Sequence, residues 1–221
     1  MKPTLIYCYD AYCGWCYGFS SVIKKIDAEY KTILDKEVLS GGMVLPEKPV
    51  HISATAGYIA SAYQRVEELA GVKFGKDYLW HIHNPDDSDW YPNSEKPAIA
   101  LCIFKEYFPE RAIEIAGELQ QALYNDGRDL TDDAAYIHLL EKYSIQPEVF
   151  FEKLNGEEYK EAAYYEFALV KQLQVASFPA VYIQTSELKF HLVARGFTPF
   201  DELLSRINQV LASEEIKSDL R

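Results

Sequence analysis

Two cysteines lie two residues apart in Asp10-Ala11-Tyr12-Cys13-Gly14-Trp15-Cys16-Tyr17-Gly18-Phe19, and no other side chains in the chain are as well placed to do chemistry. They fall where an apolar strand pattern gives way to a helical one. A thiol there faces the unpaired N–H groups and the positive end of the helix dipole. Both favour the thiolate, the form that attacks a disulfide. A second thiol one turn further along can attack the resulting mixed disulfide and release the substrate. The pattern points to a dithiol/disulfide site with Cys13 as nucleophile and Cys16 as resolving thiol.

Other chemistries compete for the same residues. A structural zinc site needs two more ligands at short spacing, and none is near in sequence. Cys8, Cys13 and Cys16 match the C-x4-C-x2-C spacing of plant-type iron–sulfur proteins, with Cys102 as a distant fourth ligand, so electron transfer by a cluster stands as a remote alternative. Cys8, however, sits inside the apolar run Thr4-Leu5-Ile6-Tyr7-Cys8-Tyr9. Cys102 sits inside Ala98-Ile99-Ala100-Leu101-Cys102-Ile103-Phe104. Both read more simply as small buried hydrophobes. No metal is expected.

The chain has 221 residues, 48% of them hydrophobic and 25% charged, with a net charge of −12. That acidity argues against nucleic acid and against anionic membrane surfaces as partners. No apolar run approaches membrane-spanning length. The start, Met1-Lys2-Pro3-Thr4-Leu5-Ile6-Tyr7, shows no secretory apolar region. With only four cysteines, the expectation is a reducing, cytoplasmic setting, where cysteine pairs are more often catalytic or metal-binding than structural.

The elements that must position the pair can be read from periodicity. Thr4 to Tyr9 reads as a strand. Phe19, Val22, Ile23, Ile26, Tyr30 and Ile33 then recur at helical steps, opposite Lys24, Lys25, Asp27 and Lys31. Glu37-Val38-Leu39-Ser40 reads as a second strand ending at Gly41-Gly42. Strand, helix, strand suggests a parallel βαβ unit, with the cysteines at the C-terminal end of the first strand, where open α/β sheets bind ligands.

The middle of the chain reads as helices. Ile59, Ala62, Tyr63, Val66 and Leu69 form one stripe. Ala112, Ile115, Ala116, Leu119, Ala122 and Leu123 form another. Thr131 reads as an N-cap. Pro147 reads as the first turn of a helix through Leu154. Tyr159, Ala163, Phe167, Val170 and Leu173 continue the helical pattern. Between the first two stripes, His81 to Pro97 reads as a solvated, aromatic, Pro-rich loop. In it His81, His83, Asp86, Asp87 and Asp89 lack the regular spacing of a metal site. The tail returns to strands: Ala180–Ile183 and Phe190–Ala194 read as a hairpin ended by Gly196. Thr198, Pro199 and Asp201 then open a closing helix with Leu203, Leu204, Ile207, Val210 and Leu211 on its apolar face. Pro179 stands immediately before the third strand, a position that strands tolerate.

The order βαβ, helices, then α, ββ and α, with C-x-x-C after the first strand and Pro179 before the third, resembles the thioredoxin fold. It resembles the DsbA-like thioredoxin family more closely. Asp10-Ala11-Tyr12-Cys13-Gly14-Trp15-Cys16, Gly41-Gly42-Met43 and Phe178-Pro179 are similar, more narrowly, to the bacterial cytoplasmic protein-disulfide isomerases related to 2-hydroxychromene-2-carboxylate isomerases. The resemblance implies an α/β fold with thioredoxin-like segments at residues 1–45 and 157–221 and an all-helical insertion at 46–156. It implies that Pro179 is a cis-proline packed against the cysteines, which would keep a metal off the pair. It implies that Phe178 offers backbone groups to an extended substrate, and that Tyr12 and Trp15 flank the sulfur with apolar surface. It further implies a disulfide-containing protein or a small thiol as substrate, no bound cofactor, and glutathione as a candidate co-substrate.

The chain departs from its relatives in two ways. The dipeptide between the cysteines is Gly14-Trp15, with neither thioredoxin's proline nor the histidine of strong oxidants, so the potential is expected between roughly −120 and −270 mV. Many relatives carry a buried acid six residues before the first cysteine. Here that residue is Tyr7, and Asp10 is the nearest carboxylate in sequence. The alternative function is a glutathione-dependent isomerase or transferase on the same fold, which would need only the Cys13 position.

Overall fold

The computed structural model describes residues 2–219, with the side chains of 214–219 left undescribed. Four strands form one sheet in the order β2-β1-β3-β4, where β1 is Thr4–Tyr9, β2 Asp35–Ser40, β3 Ala180–Ser186 and β4 Lys189–Arg195. β1 runs parallel to β2, with Tyr7 opposite Val38, and antiparallel to β3, with Tyr7 opposite Val181. β3 and β4 form the expected hairpin. A central strand is covered on both faces, which is why β1 reads as an unbroken apolar run and not as an alternating one.

Alternation along the strands assigns the two faces. Leu5, Tyr7, Val38, Val181, Ile183 and Val193 point into the larger core with Phe19, Ile23 and Ile26 of α1 (Gly14–Glu29) and Leu203 and Ile207 of α9 (Phe200–Asp219). The Tyr30 hydroxyl, just past α1, donates to Asn208 Oδ1 of α9 at 2.7 Å. Ile6, Cys8, Leu39, Ala180 and Tyr182 face the other way, against Val170 of α8 (Glu157–Gln172). Between β2 and α8 the described chain is helical, with α2 (Ser53–Ala70), α3 (Lys76–His83), α4 (Glu95–Tyr107), α5 (Ala112–Tyr124), α6 (Ile137–Tyr143) and α7 (Pro147–Leu154) joined by short 3₁₀ turns. Their buried side chains belong to the same core as α1: α5 packs along α1, and α2 comes so close that a Cβ on Gly18 would lie 2.9 Å from Val66 and Ala70. Each fully buried Leu, Ile or Phe contributes about 1.5–3 kcal/mol, so helices and sheet stabilise one another. Among the described residues no helix is long and apolar enough to cross a membrane.

Several sequence expectations shift locally. α1 stops at Glu29, so Ile33 is 52% exposed and the next residue, Leu34, takes the core position at 1%. α3 runs through Trp80, His81 and His83, and α4 begins before Pro97, so the predicted His81–Pro97 loop shrinks to residues 84–94. The helix ends there because Asn84 precedes Pro85, and the residue before a proline is disfavoured in the α region. Thr131 is no N-cap: its amide and hydroxyl both turn back to Asp129 Oδ1, at 2.9 and 2.8 Å, a local bond that competes with helix capping. Thr198 likewise donates to Gly196 O, and α9 begins at Phe200 with the Pro199 carbonyl accepting the Leu203 amide. Pro147 does open α7, which ends at Leu154. The α5 stripe is buried throughout. Of the α2 stripe only Val66 is, joined by Ala56.

Candidate functional site

Cys13 is the N-cap of α1, with extended backbone at φ −93°, ψ 104°. Its Sγ accepts the Cys16 amide at 3.3 Å, the role that Ser or Asp oxygens play at ordinary helix starts. Such a bond strengthens when the acceptor carries negative charge. Cys13 is 5% exposed and Cys16 is sealed at 0%; all four cysteines are free. Burial pushes the Cys16 thiol well up, and its hydrogen bond with Cys13 pushes it further. Phe178–Pro179 is cis, and the Pro179 carbonyl accepts the Gly196 amide at 2.7 Å, which ties the start of β3 to the end of β4.

Asp10 holds the loops around the pair. It is 1% exposed; Oδ1 accepts the Tyr12 amide and the Ser94 hydroxyl, both at 2.9 Å, and Oδ2 accepts the Met43 amide at 2.7 Å. Burial lifts its carboxyl above the usual range, and these donors partly offset the lift. One carboxylate thus fastens the cysteine turn, the Gly41-Gly42-Met43 loop and the start of α4. Its own carbonyl accepts the Cys13 amide at 3.1 Å and Gln120 Nε2 of α5 at 3.0 Å. Tyr7, where the family resemblance implied an acid, is a buried phenol. Burial and the neighbouring Cys16 and Cys13 hold its hydroxyl protonated, so no carboxylate stands there to take the Cys16 proton. Gly41 is required by close approach: a Cβ there would lie 2.1 Å from the Phe178 ring.

Tyr12, Cys13, Trp15 and Phe178 line one cavity of about 380 Å³, with Met43 as its neighbour on the Gly-Gly-Met loop. Cys16 and Pro179 lie outside its lining, Cys16 because it is buried behind Cys13. Trp15 also packs toward Phe197, ring centroids 6.4 Å apart. Cys8 and Cys102 do not join the pair. Cys8 points to the opposite face of the sheet, and Cys102 Sγ donates to Glu166 Oε1 at 3.3 Å. His81 stacks on Trp90 at 3.9 Å and bonds Ser88, while His83 meets the Tyr63 ring.

The sequence matches the model of the DSBA-like thioredoxin domain over residues 4–208. The chain belongs to this family. Among solved structures, the DsbA-like fold superposes on a candidate protein disulfide isomerase from Nitrosomonas europaea with a TM-score of 0.84, at 23% identity, covering 96% of this chain and 99% of that one. The cytosolic disulfide reductase DsbM from Pseudomonas aeruginosa gives 0.74 at 25% identity, covering 95% and 99%, and its structure with GSH gives 0.72 at 26%, covering 94% and 98%. A 2-hydroxychromene-2-carboxylate isomerase gives 0.63 at 11% identity, covering 99% of each chain. No curated protein matches the chain by sequence.

Within this DsbA-like frame, sequence reading missed the residues that shape the cleft from a distance. Tyr58, Ile59, Ala62 and Tyr63 of α2, Phe74, Tyr78 of α3 and Tyr124 of α5 complete the cavity wall. The α2 stripe was visible as periodicity, but periodicity does not distinguish a face turned to a core from one turned to a cleft. Asp10 was legible only as the carboxylate nearest the pair in sequence, and Ser94, between Asn93 and Glu95, carried no signal.

Proposed function

We propose that this DsbA-like domain is a thiol–disulfide oxidoreductase/isomerase working through Cys13. The Cys13 thiolate attacks one sulfur of a substrate disulfide, forms a mixed disulfide and releases the other substrate sulfur as a thiolate. Cys16 then loses its proton and attacks Cys13 Sγ. The Cys13–Cys16 disulfide forms, and the substrate leaves with both sulfurs reduced. The reverse sequence oxidises a dithiol, and escape of the mixed disulfide to a different substrate thiol isomerises. The observation that carries the reading is the Cys13 sulfur at the α1 cap, opening on a cavity, with Cys16 sealed directly behind it. Phe178 lines the same cavity as Cys13 and, with the cis Pro179 that follows it, supplies the backbone edge for an extended substrate. The reaction needs no cofactor. Glutathione serves as the co-substrate thiol that returns the pair to its reduced form, and the cytosolic DsbM likeness supports a cytoplasmic setting.

The alternative, a glutathione-dependent isomerase, leaves Cys16 without a task. Turnover of a fluorogenic peptide disulfide tests the choice. Cys13→Ser should abolish it, and Cys16→Ala should trap a mixed disulfide visible by mass spectrometry. Glutathione-dependent turnover surviving in Cys16→Ala would reverse the assignment.

A further inference from the structure

A larger cavity, about 730 Å³, lies on the far face of the sheet, and no cysteine lines it. It is a wedge between α8 and the strands. α8 packs on β2, while β4 at the other edge is left open, so Phe190 and Leu192 are 40% and 42% exposed. Ile6 and Leu39 form the floor, and Ala162, Leu169 and Leu173 of α8 form the roof. The only charged side chains in the lining are Glu37 of β2, Lys105 of α4 and Glu166 of α8, which bond to one another. The charged end and Phe190 thus sit at opposite edges of a four-stranded sheet, roughly 14 Å apart at the usual strand spacing.

The hydrogen bonds left over at the charged end decide which ligand fits. An ammonium has three protons to donate. Those of Lys105 go to Glu37 Oε1 at 2.6 Å, Glu166 Oε1 at 2.7 Å and the Val38 carbonyl at 2.7 Å. No donor remains for an incoming anion, and one cation faces two carboxylates, an excess of negative charge. Glu166 is 8% exposed and already accepts the Ser40 amide and the Cys102 thiol. Glu37 is 43% exposed, and among the described residues nothing donates to its Oε2. A neutral molecule covering that oxygen strips its hydration without return, whereas a cation replaces the lost water with a charge-assisted bond. The remaining walls reward an apolar body. We propose that this wedge is a binding site for a small amphipathic amine, its ammonium on Glu37 and its apolar part running under α8 toward Phe190. The site is separate from the Cys13 cleft, so the proposal stands or falls independently of the exchange chemistry.

The test is calorimetric titration of the reduced protein at pH 7 with 4-phenylbutylamine, 4-phenylbutanol, 4-phenylbutyrate and butylamine. The first three share one body and differ in the end group, and the fourth keeps the ammonium without the ring. The proposal expects phenylbutylamine to bind at least tenfold more tightly than each of the others. Glu37→Gln should weaken it to the level of phenylbutanol, whose own binding should hold. Ala162→Trp, which fills the wedge from the exposed side of α8, should abolish binding of both, and Cys13→Ser should leave both unchanged. Phenylbutanol or phenylbutyrate binding as tightly as the amine would overturn the charge selection. Butylamine binding as tightly would reduce the effect to the acidity of the whole chain and overturn the site. Amine binding that survives both Glu37→Gln and Ala162→Trp, or no binding by any probe, would overturn it as well. Either variant serves if the other does not fold.

Discussion

Cys16 and Cys8 are both fully buried, and they lie on opposite faces of the same sheet. Cys16 sits one turn into α1, behind a partner sulfur that caps the helix and opens on an uncharged cleft. Cys8 sits in mid-strand among Ile6, Leu39 and Val170. Burial and the nearby Glu166 carboxylate push its thiol up to about 12. Cys102, in the middle of α4, is raised by the same two causes and hydrogen-bonds that carboxylate. What separates a redox pair from two inert thiols is therefore not burial. It is the helix terminus and access from one side.

The largest expected effect breaks or upholds that contrast directly. Cys13→Ser should lower peptide-disulfide exchange by at least about a thousandfold, because a hydroxyl is no nucleophile toward sulfur at neutral pH. Cys8→Ala and Cys102→Ala should stay within about threefold of wild type per folded molecule. A large loss in either would mean that the far-face thiols take part in the electron path.

The far face should instead matter to stability. Lys105 of α4 reaches Glu166 Oε1 of α8 at 2.7 Å, Glu37 Oε1 of β2 at 2.6 Å and the Val38 carbonyl at 2.7 Å, while Glu166 Oε2 accepts the Ser40 amide at 2.8 Å. Glu166 is buried, and Glu166→Ala leaves the Lys105 cation with one of its two carboxylates and the Ser40 amide with no side-chain acceptor. Urea unfolding should show a loss of about 3–5 kcal/mol. Exchange by the fraction still folded should be nearly unchanged. Lost activity with stability spared would place this ion-pair cluster in the functional site.

A smaller effect is expected where the two halves of the cleft touch. Gly41→Ala places a methyl carbon inside van der Waals contact of the Phe178 ring, so the ring or the loop must shift. Overpacking of this kind costs about 1–3 kcal/mol. It should raise KM for peptide disulfides while alkylation of Cys13 by a small reagent keeps its rate. Slower alkylation as well would show that the loop positions the sulfur itself.

Much of this arrangement was legible in the sequence because the signals were local. The C-x-x-C step, the strand before it, Pro147 opening α7 and the β3–β4 hairpin follow from residue types within a few positions of one another. The cis state of Phe178–Pro179 was implied only by family resemblance. The illegible parts depend on partners far apart in the chain. Asp10 and Ser94 are 84 residues apart and bond at 2.9 Å. Ile33 and Leu34 are equally apolar, and only the end of α1 at Glu29 decides which is buried. The α2 stripe has helical periodicity whether it meets a core or lines a cleft.

The smallest effect concerns alkaline pH and isolates the inert thiol. A cysteine in the unfolded chain ionises near pH 8.5, whereas the folded Cys8 holds its proton to about 12. Between those values the unfolded state binds fewer protons, so stability falls as pH rises. The contribution is fully present below the unfolded value and is lost progressively up to the folded one. Cys8→Ala removes one such proton from the balance. Across the unit above pH 8.5 its unfolding free energy should therefore decline by about 1 kcal/mol less than that of wild type. Parallel urea titrations at pH 8.5 and 9.5 measure the difference. Identical slopes would mean that the Cys8 sulfur is not sealed in its folded environment, and the contrast between the two faces would then rest on geometry at Cys13 alone.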